Sequence, residues 1–166
     1  MAMLKIARMG HPVLLQRAED VPDPTLPELR RLVRDMAETM LDAQGIGLAA
    51  PQVHLPLRLF VWRNGDQVSA LFNPVLEAVG EEVETAWEGC LSIPGLRGAV
   101  TRPKRIRFQG LDANGEAVAG EAEGMAARVM QHETDHLLGV LYPMRMTDFS
   151  RFGFVEELAR AQEPPR

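Results

Sequence analysis

Five side chains in this sequence can ligate a soft or borderline metal ion or act as a strong nucleophile. They are Cys90, the only cysteine, and the four histidines His11, His54, His132 and His136. Two of these histidines stand in His132-Glu133-Thr134-Asp135-His136. On a helix, four residues give about 40° of net rotation and about 6 Å of rise, so both imidazoles lean toward one point and can share a metal ion. Glu133 falls about 100° round from His132, where a carboxylate can touch a metal-activated water without ligating the metal. The same five-residue pattern also admits histidines that merely cap or cross-pack. Its neighbours Met125, Val129, Met130, Leu137 and Leu138 favour the metal, because ionisable groups on an apolar stripe are costly unless paired or ligated.

Two imidazoles are too few for a tight catalytic site, which normally has three protein ligands and one open position. No histidine follows His136, and the acids beyond it are Asp148, Glu156, Glu157 and Glu163. The other candidate is Cys90, within Glu88-Gly89-Cys90-Leu91-Ser92-Ile93-Pro94, where Gly89 lets backbone approach closely. A lone cysteine is equally at home as a small buried hydrophobe. A third segment, Gly45-Ile46-Gly47-Leu48-Ala49-Ala50-Pro51-Gln52, places two glycines among small residues. It reads as backbone packed tightly against something, either a ligand or the next strand. It lacks the Gly-Lys-Ser/Thr ending of a phosphate loop.

The elements that must position these groups are partly legible. Leu26, Leu29, Leu32, Val33, Met36, Met40 and Leu41 recur at spacings of three and four, predicting a helix over 25–44. Thr25 and Glu28 have capping-box spacing, Pro27 sits in the first turn, and Gly45 is the expected stop. Residues 59–63 and 68–72 around Asn64-Gly65 predict a hairpin. Further strands are expected over 75–87, 104–111 and 116–123, then a second helix over 124–138 ending at Gly139, and a short third over 149–161. Strands around a helix without regular alternation imply an α+β fold, with antiparallel sheets packed around a central helix that carries the His-Glu-x-x-His motif. An N-terminal helix and a short C-terminal helix complete it.

At 166 residues, with 46% hydrophobic and 25% charged side chains, the chain is expected to form one domain spanning 1–166. The last residues, 163–166, look like a frayed tail. One cysteine excludes an intrachain disulfide and any all-cysteine zinc site. Eighteen basic against 23 acidic residues, a net charge of −5, argues against nucleic acid as a partner. No apolar run approaches the roughly 18 residues of a membrane span, and the first residues lack a signal-peptide pattern. A cytoplasmic location is the expectation.

Taken together, Gly45 to Gln52, Glu88 to Ser92 and Gln131 to His136 resemble the three motifs of the peptide deformylases, in the same order. Those enzymes remove the formyl group from the N-terminal methionine of nascent chains. Asn73-Pro74, Arg102-Pro103 and Gly139-Val140-Leu141-Tyr142 extend the likeness. It is weakest over 63–69 and after Met144, which stands before Arg145 where the family often carries an acid.

The resemblance implies Cys90, His132 and His136 as metal ligands, with water in the fourth position. Fe²⁺ is the expected native ion, replaceable by Zn²⁺, Ni²⁺ or Co²⁺, and a thiolate suits such borderline-soft ions. Glu133 is implied as general base, and Gln52 and the Leu91 N–H as donors to the oxyanion. The substrate would be an N-formyl-methionyl nascent peptide lying extended beside Gly45, Ile46, Gly47 and Gly89. Its methionine would sit against Ile46, Met125 and Val129. Glu88 and Arg102 are expected to brace the Cys90 strand, and Asp135 either to orient a ligand or to face solvent. His11 and His54 are expected on surface loops. Transient ribosome contact through the terminal helix stays open, its charges being mixed. The rivals are a zinc peptidase of the His-Glu-x-x-His type, lacking its downstream ligand, and a structural metal domain, which would want four protein ligands.

Overall fold

In the computed structural model, which describes residues 2–160, the first apolar stripe becomes helix α1 (Pro27–Asp42). Its start differs from expectation. Leu26 is the N-cap residue, while the Thr25 hydroxyl and amide both turn back to Asp23 Oδ1, at 2.6 and 2.9 Å. Asp23 offers Thr25 a charged acceptor two residues away, which outcompetes the capping box. At the far end the left-handed residue is Gln44 (φ 55°) rather than Gly45. Gly45 answers to packing instead, since a Cβ there would stand 2.9 Å from Leu91 Cδ1.

Five strands form one antiparallel sheet: β1 (Gly47–Ala49), β2 (Leu59–Asn64), β3 (Gln67–Ala78), and, later in the chain, β6 (Arg105–Leu111) and β7 (Ala117–Glu123). Their order is β1-β2-β3-β6-β7. Between β3 and β6 the chain leaves to build a smaller antiparallel sheet, β4-β5-β8, from β4 (Val83–Cys90), β5 (Ile93–Pro103) and β8 (Phe152–Phe154). The expected strand over 75–87 is therefore two strands in different sheets, parted around Gly80 (φ 77°). The β2–β3 turn is Gly65-Asp66, one residue later than expected, because Asn64 pairs with Gln67. Only Gly65 takes a positive φ, as a type II′ turn requires at its first central position.

Strand β5 was not anticipated. Pro94, Gly95, Gly98 and Pro103 break its pattern, and its burial does not alternate. The expected helix over 149–161 divides into a 3₁₀ turn (Phe149–Arg151), β8 and helix α3 (Val155–Arg160). Phe152 enters a strand because it pairs with Gly98 on β5, a tertiary partner invisible to helical periodicity. Ala161 and the tail at 163–166 lie outside the described residues.

Helix α2 (Gly124–Leu137) follows β7 and packs at the centre. One face of β2, with Phe60 and Trp62, meets Ala127, Met130 and Leu137 of α2. The other, with Leu59 and Val61, meets Met36 and Met40 of α1. Burying each of these methionines contributes about 1.5–3 kcal/mol. A third cluster, Ile93, Val100, Leu141, Tyr142 and Met146, with Val13 and Leu14, backs the smaller sheet. Among the described residues no helix is long and apolar enough to cross a membrane. The architecture is α+β, with antiparallel sheets around the helix that carries the paired histidines.

Candidate active site

Cys90 is the last residue of β4, and a register irregularity between Glu88 and Cys90 shifts the ladder before its final pair, Cys90 with Ile93. Such irregularities bend a strand and re-aim its side chains. The Cys90 Sγ lies 3.4 Å from His136 Nε2. One ligand atom each from Cys90, His132 and His136 falls within 4.8 Å of the others. His132 Nδ1 lies 2.9 Å from Glu88 Oε2 and donates to it, which leaves Nε2 to face a metal.

Glu88 is the hub of a buried ionic network. Its carboxylate accepts from Arg102 Nε (2.6 Å) and Nη2 (3.0 Å), from Arg128 Nη1 (2.8 Å) and from His132. Burial alone would raise its pKa, but the hydrogen bonds from His132 and Arg102 and the charges of both hold it down at about 2. The expected Glu88–Arg102 brace is present. Asp135 does neither thing expected of it: buried, it accepts from Arg102 Nη1 (2.9 Å) and Arg145 Nη2 (2.6 Å) and bonds neither histidine. Arg128 was missed. It also donates to Val100 O and Glu84 O (2.8 and 2.7 Å), tying α2 to both strands. A charged residue four before His132, on the ligand stripe, was the available signal.

Glu133 is buried beside the cluster, and its Oε2 has no hydrogen-bond partner among the described residues. Burial lifts its pKa to about 7, the His132 and Arg102 charges opposing and the Glu88 charge adding. A Cβ on Gly47 would overlap the Glu133 carboxylate, so only a glycine fits at this point of β1. Gln52, also buried, accepts from Ala49 N at 2.8 Å through Oε1, which turns Nε2 toward Ser92 Oγ (3.1 Å) and Cys90 Sγ (3.5 Å). Leu91 follows Cys90 in the two-residue turn to Ile93. Gly45, Ile46, Gly47, Gly89, Met125 and Val129 all line one cleft of about 490 Å³ that opens onto the cluster. Met125 is 61% exposed at its rim, whereas Val129 is buried.

His11 and His54 are exposed and do not line this cleft, their rings edge to face at 4.7 Å.

Comparison with known proteins decides the family. A family model described as polypeptide deformylase matches residues 3–152. The chain belongs to the polypeptide deformylase family. It is 48% identical to peptide deformylase 1 of Bordetella pertussis over 169 residues, covering 96% of each chain. It is 47% identical to peptide deformylase 2 of Ralstonia nicotianae, covering 92% of each. Among solved structures it matches the peptide deformylase of Thermotoga maritima with a TM-score of 0.86 and 42% identity, over 89% of this chain and all of that one. The Synechococcus elongatus peptide deformylase in complex with actinonin matches at 0.85, with 40% identity, over 89% of this chain and 81% of that one. Like other deformylases, the protein is a metal-dependent hydrolase that removes the N-formyl group from formyl-methionine peptides, releasing formate.

The donor set fits the metal that deformylases require. Burial opposes charge on His132, but the facing Cys90 sulfur and Glu88 carboxylate push its pKa well up, so the spot favours a cation. His136 goes the other way: burial and the His132 charge keep it neutral, as a ligating imidazole must be.

Proposed function

We propose that Cys90, His132 and His136 hold one divalent metal ion, and that Glu133, Gln52 and the Leu91 N–H carry out deformylation beside it. When bound, the ion supplies Lewis acidity toward the formyl oxygen and acidifies water at neutral pH. Glu133 takes the proton from the attacking water and later delivers it to the departing amine. The Gln52 Nε2 and the Leu91 N–H donate to the developing oxyanion. Gly45, Ile46, Gly47 and Gly89 flank the extended peptide, and Met125 and Val129 receive the methionine side chain. A formyl carbon carries only hydrogen, so a narrow site admits it and excludes bulkier acyl groups.

The observation that carries this reading is the buried Glu133 carboxylate, with one oxygen unpartnered, beside a cysteine and two histidines within ligating distance. The native ion in this reading is Fe²⁺, which a thiolate and two imidazoles suit, with Zn²⁺, Ni²⁺ or Co²⁺ as substitutes. The whole of 1–166 works as one catalytic domain, the helix that carries the histidines contributing Ala127, Val129, Met130 and Leu137 to an apolar cluster shared with the larger sheet. Nascent formyl-methionyl chains in the cytoplasm are the substrates. Any ribosome contact through α3 is transient, because its helix carries Glu156 and Glu157 as well as Arg160.

Metal analysis of anaerobically prepared protein, combined with formate release from a formyl-Met peptide, tests this. One ion per chain with formate release is expected, and internal peptide cleavage without formate would overturn it. Exposure to air is expected to inactivate the iron form through oxidation of Cys90 or the ion; prolonged activity in air would exclude Fe²⁺.

A further inference from the structure

Shortly after α2 the chain forms a 3₁₀ turn, Tyr142–Arg145, whose Tyr142 and Arg145 stay outside the cleft yet reach His132 by two routes. The first is direct. The buried Tyr142 ring lies over the His132 ring, with centroids 6.1 Å apart and an angle of 27° between the planes. Phe152 fixes Tyr142 from another side, edge to face at 6.4 Å, within the cluster of Ile93, Val100, Leu141 and Met146. The Tyr142 hydroxyl is buried and has no hydrogen-bond partner among the described residues. Buried hydroxyls are normally paired, so packing of the ring, not a hydrogen bond, decides where this side chain sits.

The second route is a chain of charged groups. Arg145 grips Asp135 twice, Nη2 donating to Oδ1 at 2.6 Å and Nε to Oδ2 at 3.2 Å. Arg102 Nη1 donates to the same Oδ2, while Arg102 Nε and Nη2 hold Glu88. Glu88 Oε2 in turn accepts from His132 Nδ1. Arg102 is thus divided between two buried carboxylates, and Arg145 supplies the second cation at Asp135. Surface ion pairs contribute little, but here the acid is buried: the Asp135 side chain is 8% exposed against 46% for Arg145. Without Arg145, Asp135 would draw harder on Arg102, and Glu88 would face His132 with less opposing charge. The carboxylate behind a ligating imidazole sets its orientation and basicity, typically worth about 10–100-fold in metal affinity or activity.

We propose that the turn Tyr142–Arg145 is a positioning element for His132. Tyr142 bears on the face of the ring, and Arg145 sets the Glu88 bond through Asp135 and Arg102. Neither side chain lines the cleft, so both act through His132 and not on substrate. The inference rests on the reading of His132 as a metal ligand.

The test uses protein loaded with Co²⁺, whose visible absorption follows the angles and donor strength of its ligands. Arg145→Gln and Tyr142→Leu are each expected to shift that spectrum. Each should also speed loss of Co²⁺ to EDTA by about tenfold, the low end for a group behind a ligand. Tyr142→Phe keeps the ring and is expected to keep the wild-type spectrum and release rate. A merely structural turn would lower the melting temperature and leave the spectrum of the folded protein alone. Wild-type spectra and release rates in both Arg145→Gln and Tyr142→Leu therefore overturn the proposal, whatever their melting temperatures. An equal shift in Tyr142→Phe overturns the part given to the ring. If Tyr142→Leu fails to fold, Arg145→Gln, at a half-exposed position, decides alone. His132→Ala separates the two failures: a wild-type cobalt spectrum in that variant defeats the ligand reading and the positioning role with it. Loss of that spectrum in His132→Ala, with Arg145→Gln and Tyr142→Leu unmoved, defeats the positioning role alone.

Discussion

Gly47 of β1 backs directly onto Glu133 of α2: a Cβ at Gly47 would stand 2.7 Å from the Glu133 carboxyl carbon. The strand and the helix therefore meet at the side chain proposed to move the proton. Gly47→Ala is expected to push the carboxylate out of place and lower kcat by about a hundredfold, the scale of a misplacement near 1 Å. Metal content should stay unchanged. Wild-type kcat in this variant would show that the close approach has no part in placing Glu133.

Glu133→Gln keeps the shape and removes the proposed base. Metal is expected to remain near one ion per chain while turnover falls by at least about a hundredfold. Full activity in the formate assay would sink the assigned role.

For Cys90→Ala the expected loss is of the metal itself. Two histidines remain, fewer than the three protein ligands of a catalytic centre. Metal analysis after dialysis reads the outcome, and an unchanged content means that the third ligand lies elsewhere. Since ligation requires deprotonated side chains, the wild type should also release its ion as the pH falls.

Gln52 has two separable jobs, accepting from Ala49 N and donating from Nε2 toward Cys90 and Ser92. Gln52→Glu retains the acceptor and loses the donor. Its kcat is expected to drop by about 10²–10³, the usual loss for one oxyanion donor. Thermal melting should show the fold intact. A kcat within about twofold of wild type would remove Gln52 from the oxyanion site.

Arg102 joins Glu88 to Asp135 with both carboxylates buried. Arg102→Met leaves them short of a counter-charge, an uncompensated burial that typically costs about 3–5 kcal/mol. Urea unfolding measures it. An unchanged midpoint would mean that Arg128 and Arg145 suffice to hold the two carboxylates.

Much of the candidate site was legible because helical spacing is local. His132, Glu133 and His136 could be placed on α2 without knowing any other element, and the apolar stripe of α1 likewise. The errors fell where a partner distant in sequence decides. Thr25 preferred Asp23 to the helix end, residues 75–87 split between two sheets, and Phe152 left a helical pattern to pair with Gly98. Asp135 was read from its angle on the helix, but the buried guanidinium of Arg102 settles what it touches.

By itself the sequence determined the pair of histidines, the glutamate beside them and the family motifs, since residue type and a 3.6-residue period suffice for these. Only the tertiary structure brought Cys90 to His136, 46 residues away, and set Glu88 behind His132. It also set Gly47 against Glu133, where a Cβ would overlap the carboxylate. Those relations depend on how β4 and β1 pack against α2. Packing is fixed by the shapes of non-adjacent surfaces, which no local pattern encodes.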